Sequence, residues 1–342
     1  MNTVKKRTYL ATSLGLLAFM TMFHSDTVGL DTSMYINHFT AIANADSLLA
    51  ALKSTSFEPG FVVYNRVLSL VSTNPRILFI SNGIVVYTSL GIFLSRYTEA
   101  PGLAVYSIVT LMLFDMYLSA ARQAMALAII LFAVPYIERR SPIPFLLVTL
   151  LATAFHYTSV AFVAAYPLCC MVGEGTRRGT IWILVLIIVY ACVVLGFDQF
   201  MSLALTLMPK YQYYRGSRVF VRGESSLAII LKVLMFAFLY VVARLSHRRT
   251  EHDHFRLSCR KLAFANIAIC IMSMNAAVLT RLGLYYSLFS VIDFSEEVCQ
   301  ISSQDRIVYS LLCMLILLAH GLVIVWFRMP QWYTTYPFSF CF

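Results

Sequence analysis

Three ionisable side chains stand inside or at the edge of apolar runs: Arg122 in LSAARQAMALAIILF, His156 in ATAFHYTSVAF and Arg281 in AVLTRLGLYYSLF. Charged groups at membrane depth are costly and usually face a polar cavity or a partner. A guanidinium presents a fork of donors that suits two oxygens of a phosphate at once, which is the chemistry Arg122 and Arg281 could do. The plainer readings are a snorkelling interfacial arginine, or for Arg122 a pair with Asp115 two turns earlier on one continuous helix. His156 could take a proton from a hydroxyl, since its reference pKa lies near neutrality. It could equally be a polar break satisfied by Tyr157, Thr158 or Ser159. Gln123 follows Arg122 directly, and Tyr285 and Tyr286 follow Arg281 at the spacing of an aromatic belt.

Two polar stretches add candidates. The segment 25–60 supplies Asp31, Tyr35, His38 and Glu58, with Arg66 just beyond it. Glu58 precedes Pro59-Gly60, a turn that could aim a carboxylate at the membrane surface, although a capping or solvated acid is the simpler account. The segment 198–226 carries Lys210, Arg215, Arg218 and Arg222, interleaved with Tyr211, Tyr213 and Tyr214. Aromatic faces stack on sugars and arginines take phosphate or carboxylate, so Tyr211, Tyr214, Arg215 and Arg218 suit an anionic headgroup or glycan. Attraction to anionic lipid is the alternative.

The elements that must position these groups follow from composition. The 342 residues are 60% hydrophobic and only 12% charged, whereas a soluble domain is roughly one-quarter charged. The chain lacks the polar surface for a water-facing globule. Apolar stretches of helical length exclude an outer-membrane barrel, so the fold class is all-α and polytopic, a single integral membrane domain over 1–342. The net charge of +10 reads as topology, because cytoplasmic loops collect Lys and Arg, and not as a nucleic-acid surface. The eight cysteines form no CxxC pair, which supports neither a zinc site nor a disulfide framework.

The expected spans are 8–24, 76–95, 102–118, 121–137, 143–155, 157–172, 180–197, 227–244, 262–280, 281–295 and 307–327, about eleven crossings, with ten to twelve admissible. Lys5, Lys6 and Arg7 before the first run predict an uncleaved helix with its N-terminus inside. The segment 244–261 has six basic residues against two acids and must be cytoplasmic, as must the basic turns at 138–140 and 173–178. The run 143–172 would reach about 45 Å as one helix, more than the roughly 30 Å hydrocarbon core. Basic turns at both its ends predict a hairpin of short helices bent near His156, with one tilted helix as the alternative. Parity then puts 25–58, 198–226 and the C-terminal tail outside, and Arg122, His156 and Arg281 at one boundary. Residues 61–73 read as an amphipathic or re-entrant helix on that outer face. No P-loop, Rossmann fingerprint, HExxH, nucleophile elbow or Asp-x-Asp pair is present, so no metal or cofactor is expected.

The chain resembles the EpsG-like branch of the Wzy-type polysaccharide polymerases. The resemblance is carried by EPGFVVYNRVLSLVSTNPRILFISNGI (58–84), ARQAMALAIILFAVPYIERR (121–140), LLATAFHYTSVAF (150–162) and LTRLGLYYSLFSVI (279–292), with YPFSF (336–340) as a weaker echo. It implies a GT-C-like or Wzy-like membrane architecture and a bacterial cytoplasmic membrane location. It also implies transfer of a growing glycan from undecaprenyl diphosphate onto a lipid-linked repeat unit outside that membrane, with a chain-length regulator or other envelope assembly protein as a partner. Arg122, His156 and Arg281 match positions that the family tends to keep polar. The acidic exit VIDFSEEVCQISSQD departs from the family's proline and basic residues. Joined to the chemistry above, the expected enzyme is a metal-independent glycosyltransferase. In it Arg122 and Arg281 meet the diphosphate, His156 is the base, and Glu58 or Asp31 is the alternative base. The competing readings are a lipid-linked oligosaccharide flippase and a transferase that modifies finished glycan.

Overall fold

The structure is a computed structural model that describes residues 3–171, 226–245, 254–273, 279–301, 303–329 and 334–342, with the single positions 199, 202 and 206. The expected span 180–197, the turn 173–178 and nearly all of the loop 198–226 lie outside the described residues, and with them Tyr211, Tyr214, Arg215 and Arg218. The described residues are helical throughout, with no strand and one isolated bridge between His24 and Phe340.

Helix α1 (Thr3–Phe23) packs along α5 (Arg76–Tyr97), which at 22 residues is about 33 Å long. Between them the expected loop 25–58 holds two helices, α2 (Thr32–Ala43) and α3 (Leu48–Lys53), and α4 (Pro59–Val71) follows it. The last matches the short amphipathic helix read at 61–73; the first two were not expected. Ser47 starts α3 as an N-cap, accepting from the Ala50 N–H at 3.1 Å.

The expected span 102–118 is broken. α6 (Pro101–Thr110) and α7 (Leu113–Ser119) meet at 60°, with Met112 in the left-handed region at φ 61. The bend frees the Thr110 carbonyl, which accepts from His320 Nδ1 at 3.1 Å. A second break at Ala120 separates α7 from α8 (Ala121–Leu131), which α9 (Val134–Glu138) continues. Asp115 and Arg122 are therefore not on one helix, and the pair expected from a continuous helix does not form.

The hairpin is present. α10 (Pro142–Phe155) ends at His156, and the chain turns back through a 3-10 segment (Tyr157–Ala164) into α11 (Ala165–Met171). Phe145, near the start of α10, packs on Phe162 and Tyr166 of the returning limb at 6.0 and 5.2 Å, which excludes a single tilted helix. The return is partly 3-10 and not α throughout.

Three helices complete the described bundle, after α12 (Ser226–Leu245). α13 (His254–Met272) starts inside the segment read as a cytoplasmic loop. Within it Arg260 is turned onto α14 (Thr280–Gln300), where it pairs with Asp293 and Glu297. α14 is central, and every residue from 283 to 298 is buried. Phe289 stacks on Phe162 at 5.9 Å and meets Phe93 edge-on at 5.8 Å. The acidic exit expected after residue 295 is thus the end of this buried helix. α15 (Ser303–Arg328) runs along the outside with Leu311, Leu315, Leu322 and Trp326 exposed, as lipid-facing side chains are.

By length and composition three helices can cross a membrane among the described residues, Arg76–Tyr97, Ala121–Glu138 and Asp305–Phe327, and the bent α6–α7 pair makes a fourth. The bundle has two chemically distinct ends. Lys6, Arg96, Glu99, Glu138, Arg260 and Glu297 gather at one. Glu58, Arg122 and His156 gather at the other, where the tail also returns: Cys341 N donates to Phe23 O at 2.9 Å.

Candidate functional site

Glu58 reaches the site because two helix ends abut. Pro59 occupies the first turn of α4, where its missing N–H costs nothing. Gly60 lies so close to α10 that an added Cβ would stand 2.7 Å from the Ala154 carbonyl oxygen. The Pro-Gly pair is therefore a helix start pressed against another backbone, not the surface turn expected from sequence. This close approach puts Glu58, immediately before α4, beside His156, immediately after α10.

The Glu58 side chain is 0% exposed and makes no cap bond to its own helix. Its Oε2 accepts from Arg122 Nη1 at 2.6 Å. Its Oε1 lies 3.0 Å from His156 Nδ1 and accepts from the Tyr157 N–H at 3.3 Å. Burial alone would raise the carboxyl pKa, but the hydrogen bond from His156 and the Arg122 charge outweigh it and hold it near 2. Burial also lowers the imidazole pKa below its usual value, against the bond and charge of Glu58. A carboxylate partner and a neutral ring together assign the proton to Nδ1, leaving a lone pair on Nε2. That Nε2 is buried with no protein partner among the described residues. Tyr157, Thr158 and Ser159 do not bond the ring, so the reading of a locally satisfied break is overturned.

Arg122 is delivered by the break at Ala120, which starts α8 at this end. Its guanidinium lies 4.3 Å from the centroid of the Phe57 ring, and its backbone N–H donates to Tyr35 OH at 3.4 Å. Nε is buried without a hydrogen-bond partner among the described residues. Phe57 was not singled out from sequence; the signal was an aromatic immediately before Glu58. Asp31 feels both Arg281 and Arg122, although burial dominates and raises its pKa. The His38 ring packs on Phe57 too, with the centroids 4.2 Å apart.

Gln123 ties α8 to α14, its Nε2 donating to the Arg281 carbonyl, while its Oε1 has no partner among the described residues. Arg281 itself is exposed at the start of α14, and its charge reaches His156 and Asp31. Tyr285 and Tyr286 are buried core residues and not an interfacial belt, because α14 is enclosed by protein. Tyr285 OH lies 3.1 Å from Thr158 Oγ1, and Tyr286 OH donates to Ala161 O at 2.8 Å. Arg66 is turned away to close α2, donating to Ile42 O at 3.1 Å and Ala43 O at 2.9 Å. Glu58, Arg122 and His156 are thus bonded directly, Gln123 ties to the Arg281 backbone and Tyr285 to Thr158 beside them, and Arg66 stands apart with α2.

The model of the EpsG family matches residues 7–340, nearly the whole chain. The chain belongs to the EpsG family. Membership makes it a membrane protein of polysaccharide-polymerase type, in keeping with its apolar helices. No curated protein and no solved structure matches it. In this EpsG-family chain the four segments quoted for the resemblance contribute Glu58, Arg122, His156 and Arg281 to one end of the bundle.

Proposed function

We propose that the chain is a glycosyltransferase that polymerises undecaprenyl-diphosphate-linked repeat units at the outer face of the bacterial cytoplasmic membrane. In this reading the N-terminus is inside, the tail is outside, and about eleven helices cross. The observation that carries it is the Glu58–His156 pair, which leaves Nε2 of a neutral buried imidazole free beside two arginines.

The chemistry runs as follows. A hydroxyl oxygen of the acceptor repeat attacks the anomeric carbon of the donor glycan, and its proton passes to His156 Nε2. The new C–O bond forms as the bond from that carbon to the diphosphate breaks, and the lipid diphosphate leaves with the electron pair. Exposed Arg281 is the first contact for the diphosphate, since Arg122 is already engaged by Glu58. The remaining N–H groups of Arg122 and the N-terminus of α14 add positive potential where charge develops. Glu58 and Gln123 are positioning residues: one fixes the imidazole tautomer, the other fixes the start of α14 through the Arg281 carbonyl. Tyr285 holds the wall behind them, Arg66 holds α2 in place, and Tyr211, Tyr214, Arg215 and Arg218 are assigned to the glycan.

The test is incubation of the purified chain with a defined lipid-linked repeat unit, read as a ladder on a gel. Wild type gives multiple additions, and Arg281→Ala raises KM about tenfold, the scale of one charged hydrogen bond. A single addition to preformed glycan with no ladder would identify a modifying transferase instead.

A further inference from the structure

A second set of buried polar atoms lies away from Glu58, where α7 meets the C-terminal tail. Asp115 is 1% exposed, and its Oδ1 has no hydrogen-bond partner among the described residues. Thr335, 0% exposed, abuts it from the tail, its hydroxyl near the carboxylate but beyond ordinary hydrogen-bond length. Ser119 Oγ, one turn along α7, and Thr334 Oγ1 also have no partner among the described residues. Gly29 lies between these: its N–H donates to Thr334 O at 3.4 Å, and a Cβ added to it would stand 3.7 Å from Ser119 Cα. Tyr87 and Tyr336 lie within electrostatic reach of Asp115, and no Lys, Arg or His among the described residues forms an ion pair with it.

A carboxylate enclosed in protein without a countercharge is strongly unfavourable, so it takes either a proton or a cation. The donors gathered here are all oxygen, which suits a hard cation, and they carry a single negative charge, which suits a monovalent one. We infer that Asp115, Ser119, Thr334 and Thr335 form a buried site for a sodium-class monovalent cation. The ion would clamp the tail onto α7. The clamped tail in turn holds the loop after α1, where Ser25 N donates to Ser339 O at 2.9 Å. That loop leads into α2, which carries Tyr35 to the Arg122 backbone. The inference does not depend on the proposed reaction.

The experiment is thermal melting of the full chain in nanodiscs, in sodium chloride against choline chloride at equal ionic strength. Sodium should raise the midpoint saturably, on the order of 5 °C well above the dissociation constant. Asp115→Asn and Thr335→Val should each abolish that sodium dependence while still melting cooperatively. Thr335→Val keeps the test decisive should Asp115→Asn fail to fold. Equal midpoints in the two salts for wild type, or a sodium shift retained in Asp115→Asn, would overturn the site and leave a protonated carboxyl there.

Discussion

Both ends of the bundle bury charge, but they finish the job differently. At the Lys6 end, Arg260 joins Asp293 and Glu297 across α13 and α14, and Glu296 accepts from Thr98 Oγ1 at 2.9 Å and from the Glu99 N–H. These acids lock helix ends together. Arg260 Nε is left without a hydrogen bond there too, but it stands 3.6 Å from the Asp293 carboxylate. At the other end Glu58 is as deeply buried, and among the described residues His156 Nε2, Arg122 Nε and, next to Arg122, Gln123 Oε1 have no partner, the first of them a lone pair that can take a proton. A group that is fully buried and only partly satisfied marks a place for a reacting molecule better than burial does by itself.

The sharpest way to break the contrast is Glu58→Ala. It leaves Arg122 buried without its carboxylate and His156 without its tautomer lock, and should cost about 3–5 kcal/mol in addition to activity. Chemical denaturation measures the first and ladder formation the second. Acid should do the same more gradually. The folded pKa of Glu58, near 2, lies below the ordinary 4.5, so its stabilisation is present above the ordinary value and fades as pH falls from 4.5 toward 2. Neutral His156 adds to the loss once the unfolded imidazole takes a proton, below its ordinary 6.5. Up to about 3 kcal/mol should vanish over that range, and Glu58→Gln should flatten the melting profile.

Arg260→Ala tests the other end. Its side chain is 23% exposed, so water screens part of the loss, and about 2 kcal/mol of stability should go with turnover per folded molecule unchanged. Gly60→Ala is the smallest change. The new methyl meets the Ala154 backbone, so α4 must back away at about 1 kcal/mol, and activity should fall as Glu58 moves from His156.

The same contrast explains what the sequence could disclose. Hydropathy and basic turns sufficed for α5, α8 and the hairpin around His156, because those signals are local and long. The helices α2 and α3 escaped because twelve and six residues give too short a pattern inside a polar loop. The bend at Met112 carries no proline or glycine to announce it. The start of α13 reads as loop because it is charged, and Arg260 there answers Asp293 and Glu297 on α14, a pairing far off in sequence. For the site, Arg122 and His156 were legible as ionisable residues in apolar surroundings, and so was Glu58 beside Pro59-Gly60. Their pairing was not, since it needs Gly60 pressed on Ala154 and a helix break at Ala120, both tertiary facts. Tyr285 was misread because enclosure by other helices, unlike hydropathy, leaves no mark on neighbouring residues.

The central claim is that His156 is a base and not a packing residue. It is tested most directly by His156→Gln beside wild type in the purified ladder assay, with melting recorded on the same samples. The account predicts a rate lower by about 10²–10⁴ with the melting midpoint nearly unmoved. A ladder formed by His156→Gln at the wild-type rate would contradict it.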